Sequence, residues 1–320
     1  MYTEAEQRVS KALKSIARNE DIKAYIQNSK ELFPLFMKAA TRFVSGHTRI
    51  EGLARISMLA QMGYQVSIEY IGENTRSENE CISAKNEFLA LINEIGAKDM
   101  KSTISFDLSH IGMSISDVLA TKHLKEIALQ AQQYDIQLMI SMEESEKTDQ
   151  ILNIYKKLSP MYANLGITLQ VHLLRSQFDL QELLKYQGKI RLVKGAYQEK
   201  EGTYIPRSVE LDKRYVDFVM ACVARNHPLS IATHDEKLVA ALKENELLAN
   251  PYTEVEMLDG VRPDLLKSLR DENFQTKVYV TYGTEWYLYL AHRIAEHPPN
   301  LYTFVSDMIE SKTLQTSLYE

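Results

Sequence analysis

The run at residues 189–197 (KIRLVKGAY) combines a short apolar segment with two cations and a glycine. The apolar residues indicate a buried strand, and Arg191, Lys194 and Gly195 lie near the point where that strand should end. Two cations beside a glycine that lets a ligand approach the backbone would suit an anion-bearing cofactor. An ordinary strand that leaves the core through a basic turn explains this run, taken alone, equally well.

Polar side chains also lie at the ends of the other predicted strands. They are Asp107, Ser109 and His110; Ser141, Glu143 and Glu144; Gln170 and His172; Thr233, His234 and Asp235; Glu254 and Glu256; and Tyr279 and Tyr282. His234 is as readily explained as a core histidine or a helix cap, and Glu143 and Glu144 as the acidic start of a helix. The sequence has no nucleophile elbow, P-loop or metal-ligand spacing, which leaves chemistry by an organic cofactor.

The last predicted helix carries a polar face. Tyr289, His292, Arg293 and Glu296 are spaced so that they share one side of a helix. On spacing alone a solvated outer face is the more common explanation. A helix that lies across the mouth of a barrel is the alternative.

Composition restricts the class of protein. The chain has 320 residues, of which 45% are hydrophobic, and a formal net charge of −6. This composition allows a large buried core and argues against nucleic-acid binding. Cys81 and Cys222 are too few and too isolated for a disulfide framework or a zinc site. No apolar run approaches the roughly 20 residues that cross a bilayer, so we expect a soluble cytoplasmic protein.

Strand and helix patterns alternate along most of the chain. The predicted strands are 65–71, 103–108, 137–142, 166–173, 189–194, 228–233, 252–258 and 277–281. Helical patterns separate them, and a last helix is predicted at 284–297. Alternation of this kind indicates a parallel sheet, and eight units in this length favour a closed (β/α)₈ barrel of the TIM type. No Gly-x-Gly-x-x-Gly turn supports an open dinucleotide-binding fold.

Helical patterns also precede the first strand, at 4–30, at 31–44 and after Gly46 as far as Met62. We therefore divide the chain into N-terminal helices at 1–45, a catalytic barrel at 46–310 and a tail at 311–320.

Several motifs together resemble the proline dehydrogenase family. They are residues 191–197 (RLVKGAY), 232–235 (ATHD), 42–46 (RFVSG), 254–260 (EVEMLDG), 278–283 (VYVTYG) and 289–296 (YLAHRIAE). The resemblance covers roughly residues 35–310. It implies a distorted (β/α)₈ barrel that holds FAD, with the last helix over the barrel mouth. It also implies transfer of a hydride from the carbon beside a ring nitrogen to flavin N5.

Position by position, the resemblance implies roles for named residues. The cofactor-binding positions are Gln170, Arg191, Lys194, Gly195, Ala196, Tyr197, Thr233, His234 and Glu296. The substrate-binding positions are Asp107, Ser141, Leu258, Tyr279, Tyr289, His292 and Arg293. Among these, Arg191, Arg293 and Tyr279 are the residues expected to act in catalysis.

The substrate side departs from the family pattern. Asp107 stands where the family has a lysine, Ser141 where it has an aspartate, and His292 where it has the first of two arginines. Loss of two charge-assisted hydrogen bonds would cost roughly 3–6 kcal/mol. Such a site should bind a free carboxylate poorly, and Asp107 would add repulsion.

We therefore predict an FAD-dependent enzyme that oxidises a CH–NH bond to a pyrroline-type imine. Its substrate is L-proline, held by Arg293 and His292, or a related cyclic amine whose carboxylate is masked, absent or replaced, and the second is favoured. A catalytically inactive flavin-binding or interaction protein is the alternative, and a flavin-free barrel with phosphate ligands is a weaker one. Family resemblance suggests a quinone acceptor, which would bring the protein into peripheral contact with the inner face of a membrane.

Overall fold

A computed structural model describes residues 3–17, 19–197, 199–296, 300–309 and 319–320. Within these ranges the side chains of eight residues are left undescribed. They are Gln7, Lys14, Ala17, Glu20, Leu288, His292, Glu296 and Thr303. The predicted site residues His292 and Glu296 are therefore described only in their backbone.

Eight parallel strands close into a barrel in chain order. They are β1 Gln65–Tyr70, β2 Thr103–Phe106, β3 Gln137–Ile140, β4 Leu165–Gln170, β5 Ile190–Val193, β6 Leu229–Ala232, β7 Thr253–Leu258 and β8 Thr276–Tyr282. The barrel closes where β8 pairs with β1, in a register that runs from Gln65 beside Lys277 to Tyr70 beside Tyr282. The predicted (β/α)₈ barrel is confirmed.

Helices follow the strands and also precede the barrel. They are α1 Glu4–Ala17, α2 Glu20–Asn28, α3 Leu32–Ala40, α4 Arg49–Gln61, α5 Glu78–Ala97, α6 Asp117–Gln133, α7 Thr148–Leu158, α8 Ser176–Leu183, α9 Val209–Val223, α10 Glu236–Glu244, α11 Pro263–Asp271, α12 Trp286–Glu296 and α13 Asn300–Ile309. None of the helices among the described residues has the length and hydrophobicity of a membrane-spanning segment.

Short polar residues fix where several helices begin. Thr48 and Glu51 form a capping box at the start of α4, while Ser116 and Ser208 cap α6 and α9. Each cap satisfies a backbone N–H that has no partner within the first turn. The single helix predicted at 4–30 is wrong, because Asn19 caps a second helix by accepting a hydrogen bond from the Ile22 N–H. The helix α13 lies beyond the last one that the sequence pattern predicted.

Helix α12 packs against the N-terminal helices. Its Trp286, Leu290 and Ile294 are buried in a cluster with Ile26 and Phe43, separate from the main barrel core. A hydrogen bond from the Ser10 hydroxyl to the Ala295 carbonyl joins α1 to α12 at 2.6 Å. The domain limits at 45 and 310 stay a prediction, because the packing alone does not define independent domains.

Candidate active site

Arg191 lies inside the barrel and not in an exposed basic turn. Its guanidinium binds Glu256 of β7 in a two-pronged ion pair, with Nε–Oε2 at 2.6 Å and Nη2–Oε1 at 3.0 Å. Nη2 also donates to the Ser105 hydroxyl at 2.9 Å. The guanidinium carbon lies 4.8 Å from the centre of the Tyr279 ring, within range of a cation–π contact. Among described residues, Nη1 makes no hydrogen bond, so its two N–H groups remain for a ligand.

Glu256 is the fixed anion of this interior. It also accepts hydrogen bonds from the hydroxyls of Ser67 at 2.6 Å and Ser230 at 2.7 Å. Burial alone would favour the protonated acid. The charges of Arg191 and Lys277, with these hydrogen bonds, instead lower the pKa of Glu256 to about 2. Arg191 and Glu256 therefore form a fully ionised pair in the centre of the barrel.

Lys194 points to a different set of partners. Its ammonium binds the carboxylates of Asp212 on α9 and Asp235, which caps α10; the bond to Asp235 is 2.6 Å long. Because the Lys194 side chain is buried, its charge needs partners, and these two carboxylates balance it. Lys194 and Arg191, which lie three residues apart in sequence, thus belong to separate polar clusters.

The His172 side chain leaves no room for any residue larger than glycine at position 195. The φ of Gly195 is +106°, and a Cβ placed there would lie 1.7 Å from Nδ1 of His172. The sequence had suggested that this glycine admits a ligand to the backbone. In the structure the His172 ring occupies the space beside it. Arg207 also donates a hydrogen bond to the Gly195 carbonyl at 2.8 Å, which holds the loop after β5.

Gln170 has an unsatisfied acceptor at the end of β4. Its amide nitrogen donates to the Glu143 carbonyl at 3.0 Å, but its buried Oε1 accepts no hydrogen bond from a described residue. Only 2% of Gln170 is exposed. A buried acceptor without a partner is costly unless a ligand supplies a donor. Gln170 therefore points to a bound group with an N–H or O–H.

The sixth-strand residues have local structural partners. His234 accepts a hydrogen bond from the Leu258 N–H at Nε2, at 2.9 Å, so this nitrogen carries no proton. The Thr233 hydroxyl accepts from the Asp235 N–H at 3.2 Å. Both side chains stabilise turns at the C-terminal end of the strands, here called the barrel mouth.

Asp107 lies among like charges at the barrel mouth. No hydrogen bond or ion pair joins its partly buried carboxyl to another described residue. Loss of hydration raises the pKa of Asp107 well above its usual range. Glu143, Glu69 and Glu73 raise this pKa further, while Lys147 opposes the shift. We call Glu69, Glu73, Asp107 and Glu143 the acidic rim.

Tyr197 and Ser141 lie near the same rim. Burial raises the pKa of Tyr197 well above its usual range, and Asp107 and Glu73 contribute to the shift. Ser141 continues β3, with its N–H bonded to the Phe106 carbonyl at 3.0 Å. The acidic rim, from the ends of β1, β2 and β3, therefore lies beside Tyr197 from the loop after β5.

Glu69 was not identified from the sequence. It accepts a hydrogen bond from the Tyr279 hydroxyl, and its own pKa is raised by burial, against the opposing charges of Arg191 and Arg293. Arg293 also lies over the Tyr289 ring, with its guanidinium carbon 4.9 Å from the ring centre. Arg293 of α12 is therefore close enough to Glu69 for its charge to affect the pKa of that carboxyl. Glu69 shares the inward side of β1 with Ser67, and this alternation was the signal that could have identified it.

The structure thus brings most of the predicted site residues to one end of the barrel. Glu69 accepts a hydrogen bond from Tyr279, and the charges of Arg191 and Arg293 oppose the rise in its pKa. Lys194 instead binds the carboxylates of Asp212 and Asp235. The side chains of His292 and Glu296 lie outside the described part of the chain.

Comparison with known proteins decides the family. A family model described as Proline dehydrogenase matches residues 52–301. "Proline dehydrogenase 1" of Bacillus subtilis strain 168 is 33% identical over 265 residues, which cover 82% of this chain and 87% of the relative. The chain belongs to the proline dehydrogenase family. A "Proline dehydrogenase" of Deinococcus radiodurans is 29% identical over 279 residues, covering 85% of this chain and 90% of the relative.

Solved structures share the fold of this proline dehydrogenase family member. Proline utilization A (PutA) from Bdellovibrio bacteriovorus, inactivated by N-propargylglycine, aligns with a TM-score of 0.76 and 19% identity. The alignment covers 89% of this chain and 35% of that longer chain. At this identity the likeness concerns the fold alone. Family membership itself classes the chain as an oxidoreductase.

Proposed function

We propose that this protein oxidises L-proline or a proline-related cyclic amine, with FAD as its cofactor. The observation that carries the proposal is the family match over residues 52–301, which includes Arg191, Gln170 and Tyr279. The bond oxidised is the one between the ring nitrogen and its neighbouring carbon, and the product is a pyrroline-type imine. FAD, when bound, supplies the hydride acceptor at N5.

The residues present fit a flavin. The partnerless Oε1 of Gln170 suits an N–H of a planar heterocycle, and an Nη1 donor of Arg191 suits one of its acceptors. Arg191 holds a fixed positive charge where negative charge would accumulate during hydride transfer. Since Glu256 holds the guanidinium by two hydrogen bonds, this charge needs no rearrangement during the reaction. The other predicted contacts, Lys194, Gly195, Ala196, Tyr197, Thr233, His234 and Glu296, remain proposals.

Tyr279, Tyr289 and Leu258 are proposed as the walls of the amine pocket. Two contacts hold Tyr279: the Arg191 guanidinium lies over the face of its ring, and its hydroxyl donates a hydrogen bond to Glu69. Arg293, stacked on Tyr289, is proposed as the cation nearest the substrate. A rigid aromatic wall would orient the ring carbon that loses hydride.

The acidic rim supports a preference for amines without a free carboxylate. A carboxylate bound beside Asp107 would require Asp107 to stay protonated, because two adjacent carboxylates repel each other. An amide makes no such demand. We therefore propose that a substrate such as L-prolinamide binds better than L-proline, and that the difference grows with pH.

The test compares KM for L-proline and L-prolinamide in the wild type and in Asp107→Asn, at several pH values. Because the same substrate is compared in both proteins, its own titration cancels. For L-proline the ratio of wild-type KM to variant KM should rise by about tenfold as Asp107 ionises, the effect of roughly 1.4 kcal/mol of repulsion. For L-prolinamide the same ratio of KM values should not change with pH. Asp217→Asn, at an exposed position on α9, is the matched control.

Two results would count against this specificity. One is a ratio for L-proline that does not change with pH, and the other is a wild type that binds L-proline more tightly than L-prolinamide at alkaline pH. Oxidation of neither amine would favour the inactive flavin-binding protein instead. A quinone acceptor is proposed from family resemblance, and reduction of a soluble quinone analogue during turnover would test it.

A further inference from the structure

Tyr319 is buried although it lies in the segment predicted as a C-terminal tail at 311–320. Only 1% of its surface is exposed. Its hydroxyl accepts a hydrogen bond from the Gly260 N–H at 3.0 Å. Its carbonyl accepts from the Arg270 guanidinium at 3.2 Å and from the Tyr64 hydroxyl at 3.3 Å. Both ends of the residue are therefore held by specific partners.

The Tyr319 ring also covers a buried ion pair. Arg55 of α4 binds Asp259 through two hydrogen bonds of 2.7 Å, and both side chains are almost fully buried. The Arg55 guanidinium carbon lies 5.5 Å from the centre of the Tyr319 ring, and the Tyr64 ring meets it edge-on at 5.3 Å. A buried ion pair needs good geometry to offset the cost of its lost hydration. The Tyr319 ring covers the pair on one side and so helps to fix this geometry.

These contacts converge on the turn at residues 258–260, which begins at the last residue of β7. The Leu258 N–H donates to His234, and the Asp259 N–H donates to the Tyr279 carbonyl at 2.8 Å. Gly260 has a φ of +74°, and a Cβ there would lie 2.2 Å from the Arg42 carbonyl oxygen. The turn is thus bound on its inner side to barrel-mouth residues and on its outer side to Arg55 and Tyr319.

We propose that Tyr319 is a positioning residue for the reaction. It holds the 258–260 turn from outside the barrel, so that Leu258 keeps its place as a wall of the amine pocket. This inference rests on the proposed function, because the role of Leu258 in binding the amine is part of it. Tyr319, which is distant in sequence, then helps to hold a turn at the barrel mouth.

The test uses Tyr319→Phe, which removes the hydroxyl and keeps the ring, beside Tyr319→Ala, which removes both. Tyr25→Phe is the matched control, because Tyr25 is 69% exposed on α2. Two measurements are made: amide hydrogen exchange over residues 258–261, and KM and kcat for L-proline and L-prolinamide. Exchange reports on the turn whether or not the protein oxidises either amine, so it separates this inference from the proposed function.

Tyr319→Phe should accelerate exchange over residues 258–261 and raise KM by about twofold to tenfold, the contribution of one neutral hydrogen bond. The kcat should change less than KM, since Arg191 and Tyr279 are untouched. Tyr319→Ala should give faster exchange and a higher KM than Tyr319→Phe. Unchanged exchange in Tyr319→Phe would overturn the inference, as would faster exchange with unaltered KM in a protein that turns over. If Tyr319→Ala does not fold, Tyr319→Phe alone decides.

Discussion

The central residues of this barrel are a charged pair in a place where most barrels bury apolar side chains. Arg191 and Glu256 lie in the interior with Ser67, Ser105 and Ser230 as their hydrogen-bond partners. An ion pair of this kind contributes little net stability compared with apolar packing. Removing one partner is nevertheless costly, because the other is left buried without a counter-charge. The value of the pair here is a guanidinium fixed in position at the base of the proposed flavin site.

This residue pair gives a stability prediction. Glu256→Gln should lower the free energy of unfolding by about 3–5 kcal/mol at neutral pH, because Arg191 is left buried without its counter-charge. The pKa of Glu256 in the folded protein, about 2, lies below its ordinary value. The stabilisation is therefore complete above the ordinary pKa of a glutamate and is lost as pH falls through about 2.

Thermal unfolding between neutral and acid pH checks this prediction. The difference in Tm between wild type and Glu256→Gln should shrink as the pH approaches 2. Glu236→Gln is the control, since Glu236 also pairs with an arginine but has a side chain that is 69% exposed. Equal Tm values for the two variants at neutral pH would show that Glu256 has no special role.

At the scale of elements, two loops interlock at the barrel mouth. The loop after β4 carries His172, whose ring lies against Gly195 in the loop after β5. The same loops are joined by an isolated bridge between Leu173 and Tyr204. The backbone after β5 can follow this path only because residue 195 has no side chain.

Two glycine variants separate the two constraints on residue 195, which are its positive φ and the space taken by the His172 ring. Gly202 has a φ of +82° with open space around it, so Gly202→Ala measures the cost of a left-handed backbone, about 1–2 kcal/mol. Gly195→Ala should cost clearly more, because its Cβ also collides with His172. Chemical denaturation of both variants makes the comparison. Similar losses would mean that His172 moves aside without cost.

The elements were largely predictable from the sequence, and the contacts between distant elements were not. Apolar patterns located all eight strands and most of the helices between them, because both patterns depend on residues close in sequence. The partners of Lys194 depend on where α9 and α10 pack, which local pattern does not contain. The burial of Tyr319 depends in the same way on α4, β1 and the turn after β7.

At the scale of the whole molecule, the barrel is closed and its mouth is partly formed by elements from outside it. The N-terminal helices hold α12 through a separate apolar cluster, and α12 in turn brings Arg293 near Glu69. The turn after β7 is held by Tyr319 from near the other end of the chain. The proposed pocket therefore depends on segments from both ends of the sequence.

The central claim is that this assembly binds a flavin and oxidises a proline-type amine. The most direct measurement is an anaerobic titration of the purified protein, reconstituted with FAD, while its absorption spectrum is recorded. We predict a yellow protein whose flavin absorption is bleached by L-prolinamide and, at higher concentration, by L-proline, with formation of the imine. A protein that retains no flavin, or a bound flavin that neither amine bleaches, would contradict the account.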